Sequence, residues 1–184
     1  MFGKLYPQVL KEINSVLSLV QEDQINELIA DIINAKTIVV CGAGRVGMAI
    51  RGFGMRLGHL GFQAYTIGDS TVPHIGAGDL LLLASGSGET QTIYDIAEIG
   101  KKDGARIALV TGHPESRIGR LAHTCVSLKA PSKKSTNPEN SSIQPMTTLN
   151  EQCLQLFFDC VVLLLMERTK QQAKDLWNRH SSLE

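Results

Sequence analysis

At 184 residues, 43% of them hydrophobic, the chain is long enough to bury a substantial core as one domain over residues 1–184. Lys+Arg 18 against Asp+Glu 18 gives a formal net charge of zero, which argues against nucleic acid and against an anionic membrane surface as partners. Residues 1–10 lack a basic start followed by an apolar core, and the apolar run 160–166 is too short to span a bilayer, so a cytoplasmic location is expected.

In chain order, apolar residues recur at helical spacing over 9–20 (Val9, Ile13, Val16, Leu17, Val20) and over 22–35 (Ile25, Leu28, Ile29, Ile32). Strand and helix signals then alternate. The β-branched run 37–41 ends at Gly42 and is followed by a helical pattern over 45–60, closed by Gly61. Residues 63–67 read as a strand closed by Gly68, and 79–84 as a strand buried on both faces. A helix over 89–102, a strand over 106–110, a short helix over 115–121 and a strand over 124–128 follow. Residues 129–146 are rich in Lys, Ser, Asn and Pro without periodicity, and read as a long loop, a lid or a disordered stretch. Helices over 147–168 and 170–180 close the chain. This alternation predicts an α/β fold, a three-layer αβα sandwich around a five-stranded parallel sheet, flavodoxin- or Rossmann-like. The loops after Gly42, Gly68, Ala84 and Val110 should converge at the carboxyl ends of the strands, where ligands gather in such sheets.

Ser85-Gly86-Ser87-Gly88-Glu89-Thr90 carries the most information. It leaves a strand and enters a helix. Two glycines permit a tight turn and close approach, and three hydroxyls sit where the helix dipole favours an anion. Capping by Ser87 or Thr90 is the bland alternative. Gly42-Ala43-Gly44-Arg45-Val46-Gly47 matches GxGxxG, yet Asp69 falls late for the acidic residue that a dinucleotide site wants. Close βα packing explains these glycines without a ligand. A second cradle after the third strand is foreign to a dinucleotide protein, so a phosphate ligand is favoured over NAD.

Glu151 falls on the first turn of the penultimate helix, where it serves either the helix dipole or general base catalysis. His180 lies near the C-terminus; His74 and His113 fall near the expected ligand edge, while His59 and His123 read as structural or exposed. Cys41, Cys125, Cys153 and Cys160 form no CxxC pair and read as buried free thiols in a reducing compartment.

Together, Gly42-Ala43-Gly44-Arg45, Met55-Arg56-Leu57, His59-Leu60-Gly61-Phe62, Ser85 to Thr90, Pro114-Glu115-Ser116, Gln144-Pro145-Met146 before Glu151 and the ending Arg179-His180 resemble the sugar isomerase (SIS) domain family, and within it the 6-phospho-3-hexuloisomerases, over nearly the whole chain. The resemblance implies a homotetramer, with the apolar first and penultimate helices as subunit contacts. It implies an isomerase of the aldose–ketose type that interconverts 3-hexulose 6-phosphate and fructose 6-phosphate through an enediol, without metal or organic cofactor. A sugar-phosphate-binding protein without catalysis, and a Rossmann nucleotide-binding domain, are the other readings. By resemblance, Gly44, Arg45, Ser85, Gly86, Ser87 and Thr90 bind the sugar phosphate. Glu151 is the base, and His180 reaches an active site, possibly that of a neighbouring subunit. Val46 and Val72 stand where the family usually has Ser and often has Thr, which should leave the ligand loops drier.

Overall fold

The computed structural model describes residues 1–131 and 142–183. Its elements run α1 (Phe2–Leu17), α2 (Glu22–Asn34), β1 (Ile38–Gly42), α3 (Gly44–His59), β2 (Ala64–Thr66), β3 (Leu80–Ala84), α4 (Gln91–Lys102), β4 (Arg106–Thr111), β5 (Thr124–Ser127), α5 (Thr148–Arg168) and α6 (Ala173–Trp177). The five strands form one sheet in the order β2-β1-β3-β4-β5, with every pairing parallel. The chain therefore reverses its direction of travel across the sheet between β1 and β3.

Alternation along the strands builds two cores. Ile38, Val40, Leu80, Leu82, Ala84, Ala108 and Val110 face α2, α3 and α5. Val39, Cys41, Leu81, Leu83, Ile107 and Leu109 face α4 and Ile118. Both faces of β1, β3 and β4 are thus buried, which is why these strands read as unbroken apolar runs. Phe53 of α3 stacks on Phe158 of α5 with ring centroids 4.4 Å apart, joining the two helices of the first face. α5 is long and apolar enough to cross a membrane by length and composition, but half of that stretch is buried inside the protein. A smaller cluster ties α1 through Ile13 and Val16 to Leu149 and Cys153 of α5.

Several expectations need correction. Residues 115–121 form a string of turns instead of a helix. Ile118 N–H, which a helix would give to Pro114 O, donates to Gly88 O, and Arg117 N–H, in the first turn, donates to Glu89 Oε1. The last helix is confined to Ala173–Trp177, since the chain reverses after α5 at Lys170, whose φ is +56°. The long loop expected over 129–146 lies mostly outside the described residues. Cys41 and Cys153 are buried, Cys125 is partly so, and Cys160 is exposed instead of buried.

Gly47 of α3 lies directly on the carbonyl of Gly42, where an added Cβ would come within 2.5 Å of Gly42 O. Backbone cannot yield as a side chain can. Gly47→Ala is expected to cost about 1–3 kcal/mol in urea unfolding, the usual penalty for overpacking; a neutral result would show that α3 can tilt away from β1. Burial pushes the thiols of Cys41, Cys125 and Cys153 up to about 11, with only a small opposing pull from Arg51 on Cys41. At pH 8 a thiol reagent should therefore label these three slowly in the folded protein and quickly in denaturant.

Candidate active site

α3 and α4 leave the sheet toward opposite faces, so the loops after β1 and β3 diverge and open a crevice at the reversal point. A cavity of about 420 Å³ occupies it, a size suited to a small ligand. The β1–α3 turn (Ala43, Gly44, Arg45, Val46), the β3–α4 loop (Ser85, Gly86, Ser87, Thr90) and the segment entering α5 (Pro145 to Glu151) form its walls. Seven of the eight residues singled out for binding or catalysis meet here: Gly44, Arg45, Ser85, Gly86, Ser87, Thr90 and Glu151.

The β3–α4 loop is held from within and from behind. Ser85 Oγ accepts the Gly88 N–H at 3.1 Å and lies 3.2 Å from Thr90 Oγ1. Thr90 is the N-cap of α4, yet its hydroxyl makes no capping bond. Capping therefore does not account for Thr90, and the first-turn N–H groups of α4 keep the free donors of a helix start. Ser87 Oγ accepts the Glu89 N–H at 3.3 Å. Behind the loop, Gly112 N–H donates to Gly86 O at 3.1 Å and Ile118 N–H to Gly88 O at 3.2 Å. The Arg117 guanidinium grips Glu89 twice, through Nε to Oε2 at 3.0 Å and Nη2 to the backbone O at 2.8 Å, while lying 4.4 Å above the Tyr94 ring. The loop is thus held in place before any ligand binds, in part by residues that do not line the cavity.

Glu151 is mostly buried, its side chain 12% exposed. Thr147 Oγ1 donates to Glu151 Oε1 at 2.8 Å. Arg45 Nε stands 3.1 Å from Glu151 Oε2, close enough for an ion pair but without hydrogen-bond alignment. One carboxylate oxygen is therefore oriented by a hydroxyl while the other meets only a charge. Arg45 also reaches Thr148 Oγ1 at 3.4 Å, bridging the β1–α3 turn to α5.

His180 is not brought into this cavity. It packs 5.2 Å from the His59 ring and 5.3 Å from the Trp177 ring, at the C-terminal end of α3. Fourteen residues of helix separate Arg45 from His59, about 21 Å at 1.5 Å per residue. Val46 does line the cavity wall, whereas Val72, partly buried, packs against the second core and is not among the lining residues. Asp69 pairs at 3.8 Å with Arg51, and both are exposed. His74 and His113 lie outside the lining as well.

Sequence reasoning missed Thr147 and Asn150. Thr147 precedes Glu151 by one helical turn, a spacing that could have flagged it. Asn150 is buried and lies over Gly86, where a Cβ would come within 2.9 Å of Asn150 Oδ1; only the fold brings α5 across that loop. Among the described residues no group of His, Cys, Asp and Glu is arranged to hold a metal ion.

Gly88 has φ +63°, and a Cβ there would overlap the Ser116 hydroxyl. Gly88→Ala must therefore displace the loop. Inorganic phosphate binding, read by calorimetry, is expected to weaken about tenfold or more, or 1.4 kcal/mol. Unchanged binding would remove the loop from the anion site.

Comparison with known proteins agrees with the geometry. The profile of the SIS domain matches residues 31–156. A Bacillus subtilis protein named 3-hexulose-6-phosphate isomerase is 34% identical over 96% of each chain. A Mycobacterium gastri protein of the same name is 39% identical, over 96% of this chain and 88% of that one. Among solved structures, a Methanococcus jannaschii protein with an inferred function of 3-hexulose-6-phosphate isomerase superposes with a TM-score of 0.85 at 30% identity, covering 98% of this chain and 99% of its own. With the crevice, the hydroxyl-rich loop and the profile match in agreement, the chain belongs to the SIS domain family.

Proposed function

We propose that the protein is a 3-hexulose-6-phosphate isomerase, interconverting 3-hexulose 6-phosphate and fructose 6-phosphate, and that Glu151 moves the proton. The observation that carries this reading is the placement of one buried carboxylate, oriented by Thr147, in the same cavity as the hydroxyl-rich Ser85–Thr90 loop. Near-full-length similarity to relatives of that name supports it.

In the forward direction a carboxylate oxygen of Glu151 takes the proton from C2 of the 3-ketose. The C2–H electron pair forms the C2=C3 double bond, and the carbonyl electrons move to O3, giving a 2,3-enediolate. Return of the proton to C3, with net transfer of the O2 proton to O3 as C2 becomes a carbonyl, completes fructose 6-phosphate. One carboxylate poised beside both carbons serves both transfers. The Arg45 guanidinium, beside Glu151, is placed to attract the developing oxyanion. Ser85, Ser87, Thr90 and the N–H groups of Gly86 and the α4 start hold the phosphate, and its binding energy positions the reacting carbons. Val46 puts a methyl surface against this site, so fewer protein hydroxyls meet the sugar there.

His180 cannot serve the cavity of its own protomer, so in this reading it acts in a neighbouring copy. An oligomer, in this reading a homotetramer, suits the exposed apolar residues Met48 and Met55 on α3, Leu156 and Leu163 on α5, and Phe2 and Leu5 on α1. A helix apolar nearly all round, as α5 is, is ordinarily covered on every side.

Glu151→Gln is expected to abolish exchange of solvent deuterium into fructose 6-phosphate, by about 10²-fold or more, while affinity for the sugar phosphate changes little. Full exchange in the variant would remove Glu151 as the base. A wild-type protein that binds fructose 6-phosphate without any exchange would instead be a sugar-phosphate-binding protein lacking catalysis.

A further inference from the structure

Glu12 lies on α1, a helix that contributes nothing to the cavity wall. Its carboxylate nevertheless collects three hydrogen bonds from the segment that leads into that wall. Ser142 Oγ donates to Oε2 at 2.7 Å, Gln144 Nε2 to Oε2 at 3.1 Å, and Ile143 N–H to Oε1 at 2.8 Å. Ser142 Oγ also accepts the Gln144 N–H at 3.0 Å, which closes the segment on itself. The next residue of α1, Ile13, is buried against Leu149 and Cys153 of α5. The turn that presents Glu12 is thus seated on the helix that carries Glu151.

Downstream of this anchor the segment is fixed at each step. Pro145 O accepts from Thr148 Oγ1 at 2.7 Å and from Thr148 N–H at 3.2 Å. Met146 is held at φ +56°, a conformation that a non-glycine residue keeps only when its flanks are restrained. Thr147 then places its hydroxyl on Glu151 Oε1. Pro145, Met146 and Thr147 all line the cavity.

We propose that Glu12 is a positioning residue of the active site: by anchoring Ser142, Ile143 and Gln144 it fixes the strap through Thr147 and so aims the Glu151 carboxylate. This rests on Glu151 being the base of the proposed isomerisation. Burial alone pushes the Glu12 carboxyl up, but the bonds from Ile143, Ser142 and Gln144 together outweigh it and hold the group below the usual carboxylate range. At neutral pH the anchor is therefore ionised, and its bonds are of the stronger, charge-assisted kind.

Glu12→Gln keeps the shape and removes the charge. It is expected to lower kcat for fructose 6-phosphate about tenfold while KM stays within about threefold, because the Ser85–Thr90 loop is untouched. Amide exchange at Ile143 and Gln144 should accelerate in the same variant. The pair Ser142→Ala with Gln144→Ala removes two of the three bonds to Glu12, leaving that from Ile143 N–H, and carries the test if Glu12→Gln does not fold. Adding Glu12→Gln to that pair should cost less than the sum of the two separate losses, since both weaken the same anchor. An unchanged kcat, losses that add, or unaltered amide exchange would each overturn the proposal. If the wild-type protein shows no isomerisation or exchange, the functional reading fails instead, and the amide-exchange comparison alone decides whether Glu12 anchors the strap.

Discussion

The site depends on a constraint of the parallel sheet. β1 and β3 are neighbours, yet the chain leaves them toward opposite faces, into α3 and α4. The two loops must diverge, and the gap between them cannot be filled by either helix. Everything chemically interesting lies around that gap. The close approach of Gly47 to Gly42 sets how tightly α3 turns off β1, and thereby where Arg45 stands. Gly42 and Gly47 are accounted for by backbone packing and Gly44 by its φ of +57°, so the GxGxxG pattern is compatible with a sugar-phosphate site and does not require a dinucleotide.

Around the gap, three segments distant in sequence brace one another. The β4–β5 turns give two N–H groups to the Ser85–Thr90 loop, those of Arg117 and Ile118. Arg45 spans from the β1–α3 turn to Glu151 and Thr148. For the β3–α4 loop, the contacts with Gly112, Arg117 and Ile118 come from residues that do not line the cavity. This is the arrangement expected of a preorganised anion site: groups fixed before binding need not be ordered during it. The same logic extends to the strap entering α5, held by Glu12 at one end and by Thr148 at the other.

Much of the architecture is legible in the residues. The runs Ile38-Val39-Val40-Cys41 and Leu80-Leu81-Leu82-Leu83 are apolar at every position because both faces of their strands are covered. Ser85, Gly86, Ser87 and Thr90 mark a candidate anion loop through local chemistry alone, since a strand end, two glycines and a helix start are contiguous. Over 115–121, where a short helix is expected, Ile118 N–H bonds Gly88 O, 30 residues away in sequence, in place of the i−4 carbonyl, a partner for which local propensity carries no signal.

The sequence by itself therefore determined the sheet, and named the Ser85–Thr90 loop as a candidate anion site and Glu151 as a candidate base, because each rests on periodicity or on residues adjacent in the chain. Only the tertiary structure decided which of the candidates share a cavity. It set Glu151 beside Arg45, more than a hundred residues apart in the chain, and laid Asn150 over Gly86. It packed Val72 against the second core, outside the cavity lining, and carried His180 to the far end of α3. Such placements follow from how helices dock on the sheet, a property of packed faces that no local stretch of residues encodes.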